Sequence, residues 1–160
     1  MVVHPPNHEH YDSQMVKMEV NLDDTPGEWL GYVMDLLFEA GANDVYYTPI
    51  YMKKNRPAVL LQLLCSQKNI NKMKEILFKE TTTLGVRYYP ITVHRMERRF
   101  RKVQTKWGTV TIKEGIYEGN VVQSSPEYEE CKSIAQNQNV PLKHVYEQVW
   151  KALGKENLNS

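Results

Sequence analysis

The chain has 160 residues, with 20 Lys and Arg against 19 Asp and Glu and a formal net charge of +1. That length suits one ordinary domain, and the near-neutral charge argues against a nucleic-acid partner. No apolar run approaches the roughly 20 residues needed to span a bilayer, so no membrane helix is expected.

Residues 1–14, with Pro5, Pro6, His4, His8 and His10, read as a flexible linker or tail that has no apolar period to bury. The start lacks the basic stretch and apolar core of a secretory signal, which makes the cytoplasm the expected compartment. Cys65 and Cys131 fit that expectation as free thiols, because neither belongs to a metal-spaced or redox-spaced pair.

From Met15 to Leu22, Val16, Met18, Val20 and Leu22 alternate with Lys17, Glu19 and Asn21, the pattern of a half-buried strand. Continuing it places Asp23 on the polar side with Glu19 and Asn21. Thr25, Pro26 and Glu28 then read as a capping box, with Thr25 at the N-cap and Pro26 at the first helical position. Trp29, Leu30, Val33, Leu37 and Ala40 recur at helical spacing, and Gly41 stands where a left-handed C-cap belongs.

A second strand is expected over Val45–Met52, rich in residues that favour a pleated surface. The Lys53–Pro57 turn follows, and then an apolar run, Ala58–Cys65, of the length of a central strand. A second helix is expected from Ser66 to about Phe78, with Ile70, Met73 and Leu77 inward, and a fourth strand over Val86–Met96. The order β-α-β-β-α-β makes residues 15–98 an α+β, ferredoxin-like sandwich, with two helices on one face of a four-stranded antiparallel sheet. Residues 99–160 read as an extension packed on the same domain. It comprises a C-terminal β-hairpin around Trp107 and Gly108 and a two-helix appendix starting near Pro126 and Pro141, and Val121 and Val122 can add a strand.

Several segments carry chemistry, each with a plainer reading beside it. Asp23 and Asp24, with Glu19 and Asn21 close by, offer the oxygen ligands that magnesium or manganese prefers. An Asp-Asp-Thr sequence before a helix also stabilises the helix N-terminus, by about 0.3–1 kcal/mol. Lys53, Lys54, Asn55 and Arg56 suit phosphate, since Lys is a mobile point charge and Arg a planar fork, but they also suit a solvated hairpin loop. Thr81, Thr82 and Thr83 before Leu84-Gly85 form either a phosphate cradle or a helix end. Arg95, Arg98, Arg99, Arg101, Lys102 and Lys106 make an anion-attracting strip, a solvated strand face or a subunit contact. The sequence has no Walker loop, Gly-x-Gly-x-x-Gly run, Gly-x-Ser-x-Gly elbow or His-Glu-x-x-His helix, so no catalytic residue is assigned.

Four runs taken together resemble a known family: Met18–Pro26, Phe38–Val45, Thr48–Pro57 and Ile76–Arg87. With Pro126–Cys131 and Val140–Leu142, they are similar, in order, to the C-terminal part of the nickel-insertion proteins of nickel-pincer nucleotide biosynthesis. The resemblance implies a CTP-dependent cyclometallase, a lyase that places nickel into pyridinium-3,5-bisthiocarboxylic acid mononucleotide to complete the cofactor of lactate racemase. It also implies a ferredoxin-like, CTP-binding, homo-oligomeric domain, a trimer or hexamer, that works with an N-terminal region of the same family absent from this sequence. The resemblance locates the segments and the chemistry of their side chains assigns the roles: Glu19, Asp23 and Asp24 are the expected ligands of magnesium or manganese. Lys53, Lys54, Asn55, Arg56, Thr82, Thr83 and Arg87 are the expected CTP contacts. A non-catalytic nucleotide-sensing domain and a purely structural assembly domain are the alternatives that stay open.

Overall fold

A computed structural model describes residues 9–157. The described residues divide into two compact units, one over residues 11–93 and one over residues 94–157 together with residues 9 and 10. Each has its own hydrophobic cluster. The division falls a few residues before the boundary expected at 98/99. Of the expected 1–14 tail, residues 10–14 are strand, and residues 1–8 lie outside the described residues.

In the first unit the order is β1 (His10–Leu22), α1 (Gly27–Glu39), β2 (Asp44–Met52), β3 (Arg56–Ser66), α2 (Ile70–Glu80) and β4 (Arg87–Arg95). The sheet order is β2-β3-β1-β4, with β1 and β2 both antiparallel to β3. This is the arrangement of a ferredoxin-like split unit. Met18, Val20 and Leu22 from β1 and Leu61, Leu63 and Cys65 from β3 point to one side, where they pack with Val33 and Leu37 of α1 and Met73 and Leu77 of α2. The intervening residues Lys17, Glu19 and Asn21 therefore occupy the opposite face, as a two-residue period requires.

The end of α1 follows its sequence closely. Gly41 has φ of 96°, Ala42 N–H donates to the Leu37 carbonyl at 2.9 Å and Gly41 N–H to Phe38 at 3.0 Å, which is a Schellman stop. Its start differs from expectation. Pro26, not Thr25, occupies the N-cap and no side chain caps the helix. The Thr25 oxygen is drawn instead to Thr82. Trp29 also departs from the expected inward stripe, being 51% exposed. Before α2, Ser66 makes no capping bond and a 3-10 turn over Gln67–Asn69 intervenes, so the α-helix begins at Ile70. Tyr47 on β2 donates its hydroxyl to the Leu30 carbonyl and holds α1 against the sheet, a bond with a net value of about 1 kcal/mol. Burial raises the Tyr47 pKa to about 12, so the donor proton stays in place at any physiological pH.

The second unit contains β5 (Glu97–Thr105), β6 (Gly108–Tyr117), β7 (Asn120–Pro126), α3 (Tyr128–Asn137) and α4 (Leu142–Asn157). The expected hairpin is a three-stranded antiparallel sheet, β5-β6-β7. Glu118 and Gly119, both at positive φ, form the two-residue turn that a tight hairpin favours. Val103, Val110 and Ile112 pack against Cys131 of α3 and against Val145, Val149 and Leu153 of α4. Both cysteines are free and buried. Among the described residues no helix is long and apolar enough to cross a membrane.

Candidate metal and phosphate site

Two polar clusters sit at and beside the C-terminal end of β1, both within the first unit. At the strand end, Asp23, Asp24 and Thr25 leave the sheet and meet two distant loops. Arg56, which opens β3, places Nη1 3.2 Å from Asp23 Oδ2. From the loop after α2, the Thr82 hydroxyl donates to Asp24 Oδ1, and Thr25 Oγ1 lies 2.6 Å from Thr82 Oγ1. A hydroxyl has one proton to give, so Thr25 donates to Thr82 and Thr82 to Asp24. The relay runs Thr25, Thr82, carboxylate, and joins residues 57 and 58 positions apart in sequence.

The second cluster lies on the polar face of β1. Arg87, the first residue of β4, donates Nε to Glu19 Oε2 at 2.9 Å and Nη2 to Asn21 Oδ1 at 2.8 Å. Tyr89 donates its hydroxyl to Glu19 Oε1 at 3.2 Å, and Lys17 Nζ is 3.3 Å from the same oxygen. Both Glu19 oxygens are thus engaged. Burial pushes the Glu19 carboxyl up, but the hydrogen bonds from Arg87, Lys17 and Tyr89, with the Arg87 charge, outweigh it and hold the group below its usual 4.5. Tyr89 and Lys17 were not among the expected site residues. The signal existed, since Tyr89 follows Arg87, and Lys17 precedes Glu19, by the two residues that share a strand face.

Lys53, Lys54 and Asn55 form the turn between β2 and β3, all exposed. Lys54 has φ of 62° and Asn55 φ of 57°. The left-handed region costs a Lys roughly 1–2 kcal/mol, and such strain persists where surrounding structure or function fixes it. Lys53 and Lys54 form no ion pair with any described residue. Thr83 turns inward on its own loop: its Oγ1 donates to the Gly85 carbonyl at 2.8 Å. A cleft of about 340 Å³ lies next to Thr82, lined by Trp29, Tyr32, Lys79, Glu80 and Thr81.

The donor set can be tested against a divalent cation. Among the described residues no three His, Cys, Asp or Glu side chains gather into a metal-holding group, so Glu19, Asp23 and Asp24 are not a three-carboxylate cage. Asp23 Oδ1 and Asp24 Oδ2 accept no hydrogen bond from a described residue. One or two carboxylates are what magnesium takes from a protein when water and phosphate complete its shell, so Asp23 and Asp24 fit a cation that arrives with a phosphate.

The Glu19 cluster should register in acid stability. A carboxyl depressed in the fold stabilises it above its unfolded pKa, and that contribution is lost as pH falls through the folded value. Wild-type melting temperature should therefore drop from about pH 5 toward pH 3, and Glu19→Gln should lower it at pH 7 while flattening part of that slope. Parallel pH profiles for the two proteins would contradict this.

A family model described as nickel insertion protein matches residues 2–146. The chain is 43% identical over 140 residues to the pyridinium-3,5-bisthiocarboxylic acid mononucleotide nickel insertion protein of Thermotoga petrophila, and 45% identical over 145 residues to that of Acetivibrio thermocellus. These alignments cover 88% and 91% of the chain but 35% of each relative. Among solved structures, it superposes with a TM-score of 0.85 and 39% identity on LarC2, the C-terminal domain of a cyclometallase involved in the synthesis of the NPN cofactor of lactate racemase. That match covers 91% of this chain and 99% of the other. The chain spans about a third of the length of the curated relatives it matches, and it belongs to the nickel insertion protein family.

Proposed function

We propose that this chain is the CTP-binding C-terminal part of a nickel-inserting cyclometallase, a lyase whose substrates are nickel and pyridinium-3,5-bisthiocarboxylic acid mononucleotide. The observation that carries the reading is the corner where Asp23, Asp24, Arg56, Thr25 and Thr82 converge from segments far apart in sequence. Family membership supports the reaction class, and the corner supports a triphosphate with its cation. The remaining two-thirds of such a protein, N-terminal to this part, completes nickel and substrate handling.

Asp23 and Asp24 would hold magnesium or manganese, which when bound neutralises phosphate charge as a Lewis acid. Lys53, Lys54 and Arg56 grip the triphosphate from the β2–β3 turn, with Asn55 shaping the turn through its left-handed backbone. Thr82 orients Asp24, and Thr83 supports the loop that carries Thr82. Glu19 takes a different part from that of a ligand. With both oxygens occupied, it anchors Arg87, whose guanidinium is held for the triphosphate beside β1. Trp29 and Tyr32 give the cytosine ring an aromatic wall in the neighbouring cleft. Fixed positive groups around the bridging oxygens then favour charge developing there during cleavage of the nucleotide.

The exposed Phe38 and Phe78, on α1 and α2, favour assembly into a homo-oligomer as well. Phe38→Glu with Phe78→Glu should then lower the particle mass seen by light scattering, and an unchanged mass would remove this surface from the contact.

CTP with manganese should raise the melting temperature by several degrees, since a ligand at a hundredfold excess over Kd adds about 2.7 kcal/mol. ATP should raise it less, and Asp23→Asn with Asp24→Asn should abolish the difference. Equal shifts with every nucleotide would overturn the cytidine site. Chromatography of the incubated nucleotide decides between turnover and sensing, because a sensing domain returns CTP intact.

A further inference from the structure

The inner face of the β5-β6-β7 sheet changes character along its length. Val103, Val110 and Ile112 are apolar and buried under the helices, as a core face should be. Two residues further along the same side of β6 comes Glu114, 3% exposed; across from it on β5 stands Arg99, with Arg101 on the same face opposite Ile112. These charged residues line a cleft of about 620 Å³ with Ser124 of β7 and with Trp150 and Leu153 of α4, within the range of small-molecule sites.

Glu114 fixes how the arginines stand. Arg99 donates Nε to Glu114 Oε2 at 2.9 Å and holds Nη2 2.7 Å from the same oxygen, while Arg101 donates Nε to Oε1 at 2.6 Å. Burial raises the Glu114 pKa, but the hydrogen bonds and charges of both arginines lower it further, so the carboxylate stays ionised. Arg99 uses two of its five N–H groups in this way, and the other three make no hydrogen bond to a described residue. Its side chain is 56% exposed, so that planar edge is open to solvent along the cleft. Trp150, which lines the same cleft, is 46% exposed, so an aromatic surface is left uncovered in a cleft that holds a pre-oriented guanidinium.

We propose that this cleft binds a small aromatic oxyanion, a carboxylate or phosphate monoester on a flat ring. Arg99 meets the oxyanion with its free edge, in the paired geometry that carboxylate and phosphate share. Ser124 offers a hydroxyl beside it, and the ring lies against Trp150 and Leu153. Glu114 is a positioning residue, since it touches the guanidinium and not the ligand. Nothing in this assignment depends on the nucleotide corner of the first unit.

The test uses the 160-residue chain labelled with nitrogen-15. It follows the Trp150 indole N–H, identified among the three tryptophans by its loss in Trp150→Phe. Benzoate and phenyl phosphate are titrated beside benzyl alcohol and inorganic phosphate. At least one aromatic anion should shift the Trp150 signal saturably, and the stronger of benzoate and phenyl phosphate names the oxyanion. Benzyl alcohol and inorganic phosphate should each bind at least tenfold more weakly. Arg99→Gln should weaken the aromatic anion at least tenfold while the rest of the spectrum stays folded. Should that variant unfold, the wild-type comparison of benzoate with benzyl alcohol decides alone. The proposal is overturned if neither aromatic anion gives a saturable shift, if the neutral ring or bare phosphate binds as well, or if a folded Arg99→Gln protein binds unchanged.

Discussion

The Thr82 hydroxyl joins two parts of the chain that the sheet alone would leave independent. It takes a proton from Thr25, gives its own to Asp24, and so ties the end of β1 to the loop after α2. A hydroxyl that donates to a carboxylate makes a charge-assisted hydrogen bond, stronger than one between neutral groups. With Arg56 holding Asp23 from the start of β3, each aspartate has one oxygen engaged and one without a partner among the described residues. Two adjacent carboxylates at a strand end would otherwise splay apart by repulsion. Here a cation on one side and a hydroxyl on the other hold both in place.

The same tie explains why α1 starts as it does. A threonine before Pro26 is well suited to cap the helix, yet its oxygen goes to Thr82, and the helix begins with no side-chain cap. A missing cap costs about 1 kcal/mol. The Tyr47 bond to the Leu30 carbonyl and the burial of Leu30, Val33 and Leu37 offset it from the other side of the helix. The left-handed Lys54 is a second place where local preference gives way, in the turn next to Arg56. Natural sequences tend to break local rules where a site needs them broken.

Much of the first unit was legible in the sequence because its two periods are clean. The alternation of Met18, Val20 and Leu22 and the helical spacing of Leu30, Val33 and Leu37 both point to one core, and the βαββαβ order followed from them. Gly41 announced its left-handed stop for the same local reason. What escaped was decided by tertiary contact. Residues 10–14 lack a regular apolar period but are strand, so propensity alone placed them in the tail. Trp29 fits the helical stripe yet lies at its edge, where half its surface stays open. The segments around Glu19, Asp24, Thr82 and Arg87 were readable one at a time. Their division into a carboxylate corner and an arginine-clamped Glu19 was not, because pairings 57 to 70 residues apart leave no trace in spacing. Likewise the basic strip showed its charge but not that Glu114 would be buried between Arg99 and Arg101.

The corner formed by Asp23, Asp24 and Thr82 is proposed to receive a cation together with a nucleoside triphosphate. Paramagnetic broadening by manganese measures this residue by residue, using amide spectra recorded with CTP and substoichiometric manganese. Amide signals of Asp23, Asp24, Thr25, Thr82 and the Lys53–Arg56 turn should broaden first and only when CTP is present. Broadening centred elsewhere on the chain, or equally strong without CTP, would contradict it.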